Sequence, residues 1–230
     1  MREWIEWYDS NHTIYANARH KDVHFRHIAE DIVQYVPSPV SAVLDYGCGE
    51  ALHAKIVAAR AGKLILAEPA PGVRARLEAK YAGDQKIAVC STDDVVQLPQ
   101  NSIDLAVMHS VSQYLSAAQL DELLALFKRL LARDGKLVIG DVVQPDTPAW
   151  KDALALLRFG WREGFFFAAL RGLVRTALSD YSRLRKQAGM SRYTERDMLA
   201  KLEAAGFRAE RQADNIGHLQ TRMTFVAIPR

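Results

Sequence analysis

Residues Val43 to Glu50 read VLDYGCGE: a short apolar run, one carboxylate, then two glycines separated by a single residue. Gly47 and Gly49 leave the backbone bare where a strand should end, which predicts that a ligand approaches it closely. A dinucleotide turn would carry a third glycine three residues later, but that position holds Leu52. Asp45 would repel a diphosphate, whereas it suits a ligand bearing an ammonium and a sulfonium. Among seven histidines, His20, His24 and His27 recur at i, i+4 and i+7. No carboxylate or cysteine at suitable spacing completes a metal set, so the three read as a partly buried helix face and no metal is expected.

Regular elements must carry these residues. SAVLDY (41–46) reads as a buried strand, EALHAKIVAARAG as a helix closed by Gly62, and KLILAE (63–68) as a second strand. GVRARLEAKYAG returns as a helix, KIAVC as a third strand and IDLAVMH (103–109) as a fourth. Ser116 with Gln119 forms a capping box for a helix that aligns Leu120, Leu123, Leu124, Phe127 and Leu131. RDG (133–135) then turns into a fifth strand, KLVIGDVV. This alternation predicts a parallel sheet with helices on both faces.

The rhythm breaks after Asp141. From about Thr147 to Tyr193, helical spacing links Trp150, Leu154, Leu157 and Trp161, then Leu170, Val174 and Leu178, as in an inserted helical cap. Thr194 and Asp197 cap a further helix that runs to Ala205 and stops at Gly206. FRAERQA and RMTFVAIP are joined by a few residues and should pair antiparallel. The fold class is therefore α/β, a mostly parallel seven-stranded sheet with an antiparallel last strand and an inserted helical cap.

A chain of 230 residues, 49% hydrophobic and 25% charged, has the composition of a globular protein with a sizeable core. Two cysteines, Cys48 and Cys90, supply no disulfide framework, and FFFAAL (165–170) is far below membrane-spanning length. With no leader-like segment at its start, the chain reads as cytoplasmic and without a transmembrane helix. A net charge of +3 gives no reason to expect nucleic acid. The charge is uneven: residues 151–192 hold nine Lys or Arg against three Asp or Glu, a net of +6, leaving −3 for the rest. Arg158 and Arg162 are an i, i+4 pair beside Trp161. Such a cap suits an apolar acceptor with an acidic group or contact with an anionic membrane surface, unless its arginines are merely solvated.

The blocks VLDYGCGE, LILAEP, LPQNSIDLAVMHSVSQYL and LLARDGKLVIGDV, in this order over most of residues 41–143, resemble the class I S-adenosylmethionine-dependent methyltransferases. YTERDMLAKLEAAGF (193–207) is similar to that family's penultimate helix and strand. The resemblance implies a Rossmann-like fold and one domain over residues 1–230: an N-terminal helical cap (1–40), a cofactor-binding core (41–146), the inserted cap (147–192) and the end of the sheet (193–230). It also implies S-adenosyl-L-methionine as cofactor and S-adenosyl-L-homocysteine as product. Gly47, Cys48 and Gly49 would meet the methionine end, Asp45 its amino group, and Glu68 the ribose hydroxyls, because a carboxylate can accept from both alcohols of a diol. Pro69 would face the adenine, and Asp93 and Asp94 compete for its amino group, with the spacing to Leu98 and Pro99 favouring Asp94. Tyr15 and Arg19, ahead of the first strand, could reach the cofactor carboxylate.

His109 lies where the fourth strand of this fold meets the cofactor, and either serves as general base or lines the pocket. Tyr114 stands near the same pocket or packs the next helix. With Tyr114, residues Arg158, Trp161 and Arg162 are candidates for contact with the acceptor. The reaction implied is methyl transfer to O or N, less readily C, of a small and apolar molecule that can be acidic. A lipid or macromolecular acceptor and a cofactor-binding protein without turnover remain as alternatives, and nothing in the sequence sets an oligomeric state.

Overall fold

A computed structural model describes residues 5–6, 9, 15–177 and 190–230. Its seven strands are β1 (Ala42–Tyr46), β2 (Lys63–Ala67), β3 (Ile87–Cys90), β4 (Ile103–His109), β5 (Leu131–Val142), β6 (Phe207–Arg211) and β7 (Met223–Pro229), in the order β3-β2-β1-β4-β5-β7-β6. β1 to β5 run parallel, and β7 is antiparallel to both β5 and β6. The chain winds outward from β1 to β3 and then crosses back to β4. The carboxyl ends of β1 and β4 therefore form the crevice where ligands of such sheets bind.

Alternation along each strand sends Leu44, Ile65, Ala106, Met108 and Ile139 into one core, and Val43, Leu64, Leu66, Leu105, Val107 and Val138 into the other. The first core is closed by α4 (Ala117–Leu130) and α7 (Glu195–Ala204), the second by α1 (Ala18–Val33), α2 (Ala54–Arg60) and α3 (Pro71–Tyr81). Both anticipated capping boxes are present, Ser116 with Gln119 and Thr194 with Asp197. They satisfy amide groups that a helix start leaves without partners.

Three local expectations change. The helix expected over 50–62 spans only Ala54–Arg60, because Ala51 takes a positive φ of 37° and residues 50–53 continue the turn. The RDG segment lies inside β5 as an irregularity: pairing passes from Ile103 opposite Leu131 to Leu105 opposite Lys136, so residues 132–135 bulge out. The link between β6 and β7 is no tight hairpin, since residues 212–222 fold back toward the crevice. Asn215 and Gln220 tie that loop together, and Gly217 donates its amide to Asp31 of α1 at 2.7 Å.

Two helices, α5 (Ala149–Glu163) and α6 (Phe166–Ala177), form the cap and meet at Gly164, which takes φ 76°. A Cβ on Gly160 would lie 3.1 Å from that of Ala169, so small residues let the two helices touch. Asp152 holds Arg222 at 2.6 Å and Thr221 at 2.9 Å, and Glu163 holds Arg26 and His27 at 3.2 Å each. Leu178 falls outside the described residues.

Candidate active site

At the end of β1 the backbone turns through Gly47 (φ 72°) and Gly49 (φ 59°). The amides of Gly47 and Cys48 donate to the carbonyl of Ala67 at 2.7 and 3.3 Å, pinning the turn to the end of β2. A Cβ on Gly47 would lie 2.5 Å from Cγ2 of Val111, whereas one on Gly49 would meet nothing closer than Phe25 at 3.8 Å. Gly47 is thus required by space and by conformation, Gly49 by conformation alone. Glu68 joins the two strand ends: its carboxylate accepts from the Gly49 amide at 2.8 Å and the Ala70 amide at 2.9 Å. Burial raises its pKa although those amides favour the charged form. Each oxygen keeps further acceptor capacity toward the crevice.

The crevice encloses a cavity of about 250 Å³. Asp45, Gly47, Cys48, Gly49, Glu68 and Pro69 form its floor, together with Thr92. Tyr15, His24, Phe25 and Ile28 roof it, and His109, Ser110, Val111 and Tyr114 make the far wall. Burial and the neighbouring Glu68 push the pKa of Asp45 up to about 7. Among the described residues no cation is paired with Asp45, and a buried carboxylate so placed favours a ligand that supplies one. Burial, then Asp45 and Glu68, holds the Cys48 thiol well above its ordinary pKa, so it lines the site as a neutral small side chain.

His109 ends β4 opposite Gly140 of β5. Its Nδ1 is buried without a hydrogen-bond partner, and a Cβ on Gly140 would stand only 2.7 Å from it. Burial lowers its pKa, partly opposed by Asp141 and Asp31, so the ring is neutral and able to accept a proton at pH 7. The adjacent strand ends are strained: Ser110 (φ 57°) and Asp141 (φ 60°) both occupy the left-handed region. Ser110 Oγ donates to Asp141 at 2.6 Å, and the Asp141 amide donates to Asn215 at 3.0 Å. This network sets the direction in which β4 delivers His109.

Several anticipated residues stand elsewhere. Arg19 lies opposite the cavity-facing stripe of α1, and its Nε donates to the carbonyl of Glu163 at the end of α5, so it clamps the cap instead of lining the cavity. Asp94 is exposed, and its carboxylate accepts from the amide and hydroxyl of Ser91 at 3.0 and 2.7 Å. Asp93 is exposed as well, and of this loop Thr92 is the residue that lines the cavity. Arg158 and Arg162 line a separate groove behind the cap, and Trp161 is 76% exposed. The reason is the orientation of α5, which turns Phe159 and Gly160 inward.

The tertiary structure also adds residues. His24 lines the cavity while His20 and His27 face the cap, so the histidine stripe divides between two environments. His218, from the 212–222 loop, stacks on Phe159 at 4.2 Å and stands 5.6 Å from His24. Burial pushes His20 down to about 4, His218 to about 3, the latter also through its histidine neighbours, and lowers His24 likewise. The only sequence signal for His218 was a glycine-containing loop before the last strand. Among the described residues, no group of three or more His, Cys, Asp or Glu is arranged to hold a metal ion.

Residues 44–139, from inside β1 to the middle of β5, match the family model of a methyltransferase domain. They contain the glycine turn, Glu68 and His109. Those residues, 96 of the chain's 230, carry a methyltransferase domain, and the activity this supports is S-adenosylmethionine-dependent methyl transfer. Solved structures share this methyltransferase fold at low identity. The putative methyltransferase in complex with the Trm112 activator of Haloferax volcanii is 15% identical, with a TM-score of 0.59 over 91% of this chain and 92% of that one. Magnesium protoporphyrin IX methyltransferase from Synechocystis PCC 6803, with bound S-adenosylhomocysteine, is 15% identical, with a TM-score of 0.56 over 100% and 93%. The CurJ carbon methyltransferase is 16% identical, with a TM-score of 0.58 over 93% of this chain and 56% of that one. No protein of curated function matches the methyltransferase by sequence.

The cofactor is S-adenosylmethionine, and the floor fits it. A glycine turn bare of side chains, a carboxylate without a cation and a second carboxylate at the next strand end meet the needs of an amino acid, a sulfonium and a ribose.

Proposed function

We propose that this methyltransferase acts on oxygen or nitrogen of a small, largely apolar acceptor, and that His109 accepts the proton released. The observation that carries the reading is the far wall: Val111, Tyr114 and Leu115 surround a neutral imidazole under an aromatic roof of Tyr15 and Phe25. Such a wall selects by apolar contact, and its imidazole is the group that would take up a proton released there. Arg158 and Arg162 line a separate groove and not this cavity, so neither asks for an acidic group on the acceptor there.

S-adenosylmethionine supplies an electrophilic methyl group when bound. Asp45 and the Gly47 to Gly49 turn would hold its amino-acid end, Glu68 its ribose, and Pro69 with Thr92 the base. The chain's contribution to rate is alignment of the acceptor, exclusion of water by the α1 roof, and removal of a proton. His109 suits the last step because burial lowers its pKa and keeps the ring unprotonated at pH 7, while its Nδ1 is buried against Gly140 without a partner among the described residues.

Incubation with methyl-labelled S-adenosylmethionine and a panel of phenols, alkyl acids and aromatic amines, with mass spectrometry of the products, tests the reading. Methylation of a small apolar alcohol, phenol or amine supports it. Label that enters only protein or nucleic acid would overturn it.

A further inference from the structure

We propose that the outer face of the cap, α5 with α6, docks the enzyme on an anionic phospholipid surface. On α5, Trp150, Leu154 and Trp161 share one stripe and are 62%, 38% and 76% exposed. On α6, Phe167, Leu170 and Val174 share another and are 83%, 47% and 61% exposed. Of the eight large apolar side chains exposed among the described residues, these two helices hold six. The patch is thus concentrated on one element, as interaction surfaces are. Lys151, Arg158 and Arg162 border the α5 stripe on one side, and Arg171 borders that of α6. All four are exposed, and none has an acidic partner among the described residues. The two acids of these helices, Asp152 and Glu163, are turned inward, Asp152 paired with Arg222 and Glu163 with Arg26 and in contact with His27. Charge on the two helices is sorted: the four cations with described side chains are exposed, Lys151, Arg158 and Arg162 along a groove that Asp31 and Asp214 also line, and both acids of the helices point in.

Amphipathic helices normally bury the apolar stripe, and these two bury small and aromatic residues instead, Phe159, Gly160, Phe165 and Ala169. An outward stripe of Trp, Phe and Leu beside Arg and Lys matches the interfacial zone of a bilayer, where rings sit among headgroups and cations meet phosphate. A second copy of the chain is the poorer fit, because a two-fold contact through this face would press Arg158, Arg162 and Arg171 against their equivalents while neither helix turns an acid of its own to that face. The proposal does not depend on which acceptor is methylated.

Sedimentation of the full chain with vesicles tests it, using phosphatidylcholine alone and an equimolar mixture with phosphatidylglycerol. The wild type should pellet with the anionic vesicles, less so at high salt, and remain in solution with the neutral ones. Arg158→Gln with Arg162→Gln should lower the partition coefficient about 30-fold. Trp161→Ser with Phe167→Ser should lower it at least about tenfold at either salt concentration. S-adenosylhomocysteine affinity, measured beside it, should be unchanged in both variants and shows that they are folded. Absence of vesicle binding by the wild type, or equal binding by folded variants, overturns the proposal. So does a concentration-dependent dimer, seen by light scattering, that the same substitutions abolish, since the face would then belong to a second copy.

Discussion

Replacing Asp45 with Asn should make the ligand-free enzyme more stable and the cofactor weaker, and both effects should grow as pH rises through the Asp45 pKa. Burial and Glu68 raise the Asp45 pKa from 3.8 to about 7. Between those values the folded protein binds a proton that the unfolded chain lacks, so stability falls as pH rises through the window and the full cost is present above 7. The shift corresponds to about 4 kcal/mol at 1.36 kcal/mol per unit, which water in the open cavity reduces to about 2–4 kcal/mol. Asp45→Asn, which cannot ionise, should recover that amount at pH 8 and nothing near pH 4, as read from urea unfolding. A cofactor ammonium pairs only with the ionised acid. Wild-type affinity for S-adenosylhomocysteine should therefore rise about 100-fold from pH 5 to 8 and level off above 7. In the variant it should be nearly flat over that range and about 10- to 100-fold weaker at pH 8. Calorimetric titration at four pH values separates these outcomes. A variant no more stable than wild type at pH 8, or a wild-type affinity independent of pH, would refute the assignment of Asp45 as the buried carboxylate awaiting a cation.

Three further outcomes follow from the same geometry. His109→Gln should lower kcat by about 10²–10⁴ while leaving S-adenosylhomocysteine affinity intact, and a variant within threefold of wild type would remove the base from the mechanism. Gly47→Ala should cost more stability than Gly49→Ala: both incur about 1–2 kcal/mol for a left-handed alanine, but only Gly47 adds the contact with Val111. Equal urea midpoints for the two would refute the packing argument. Burial lowers the pKa values of His20, His24 and His218, so stability should be full above pH 6.5 and fall as pH drops toward 4, by up to about 1.4 kcal/mol per unit for each ring. Asp45 and Glu68 oppose this, but they are two carboxyls against four imidazoles once His109 is included. A urea midpoint unchanged from pH 7 to 5 would contradict the burial of the histidines, and His20→Phe should flatten the dependence.

The parts of the site legible in the sequence were those written within one strand-turn-helix unit. Asp45, Gly47, Gly49 and Glu68 end two adjacent strands, and the sheet order places those ends side by side. His109 was readable for the same reason, as the last residue of an apolar run. After β3 the sequence left Asp93 and Asp94 open; in the fold both are exposed, Asp94 accepts from the Ser91 hydroxyl, and Thr92 is the residue of that loop lining the cavity. Distances of one or two residues on a loop decide which side chain enters, and periodicity carries no information there.

By itself the sequence determined the parallel order, the glycine turn, both capping boxes and the antiparallel end of the sheet, since each depends on near neighbours and on the two periods of strand and helix. It also determined that α5 and α6 are amphipathic. Which stripe faces inward was decided by tertiary structure. Close approach at Gly160 and Ala169, with Phe159 and Phe165 against α1, took the inner side and left Trp150, Trp161 and Phe167 in solvent. The same holds for Arg19 on Glu163 and for His24 beside His218, pairs 144 and 194 residues apart. A helical stripe states that one face is apolar, but only the surfaces that other elements bring to it determine whether that face is covered.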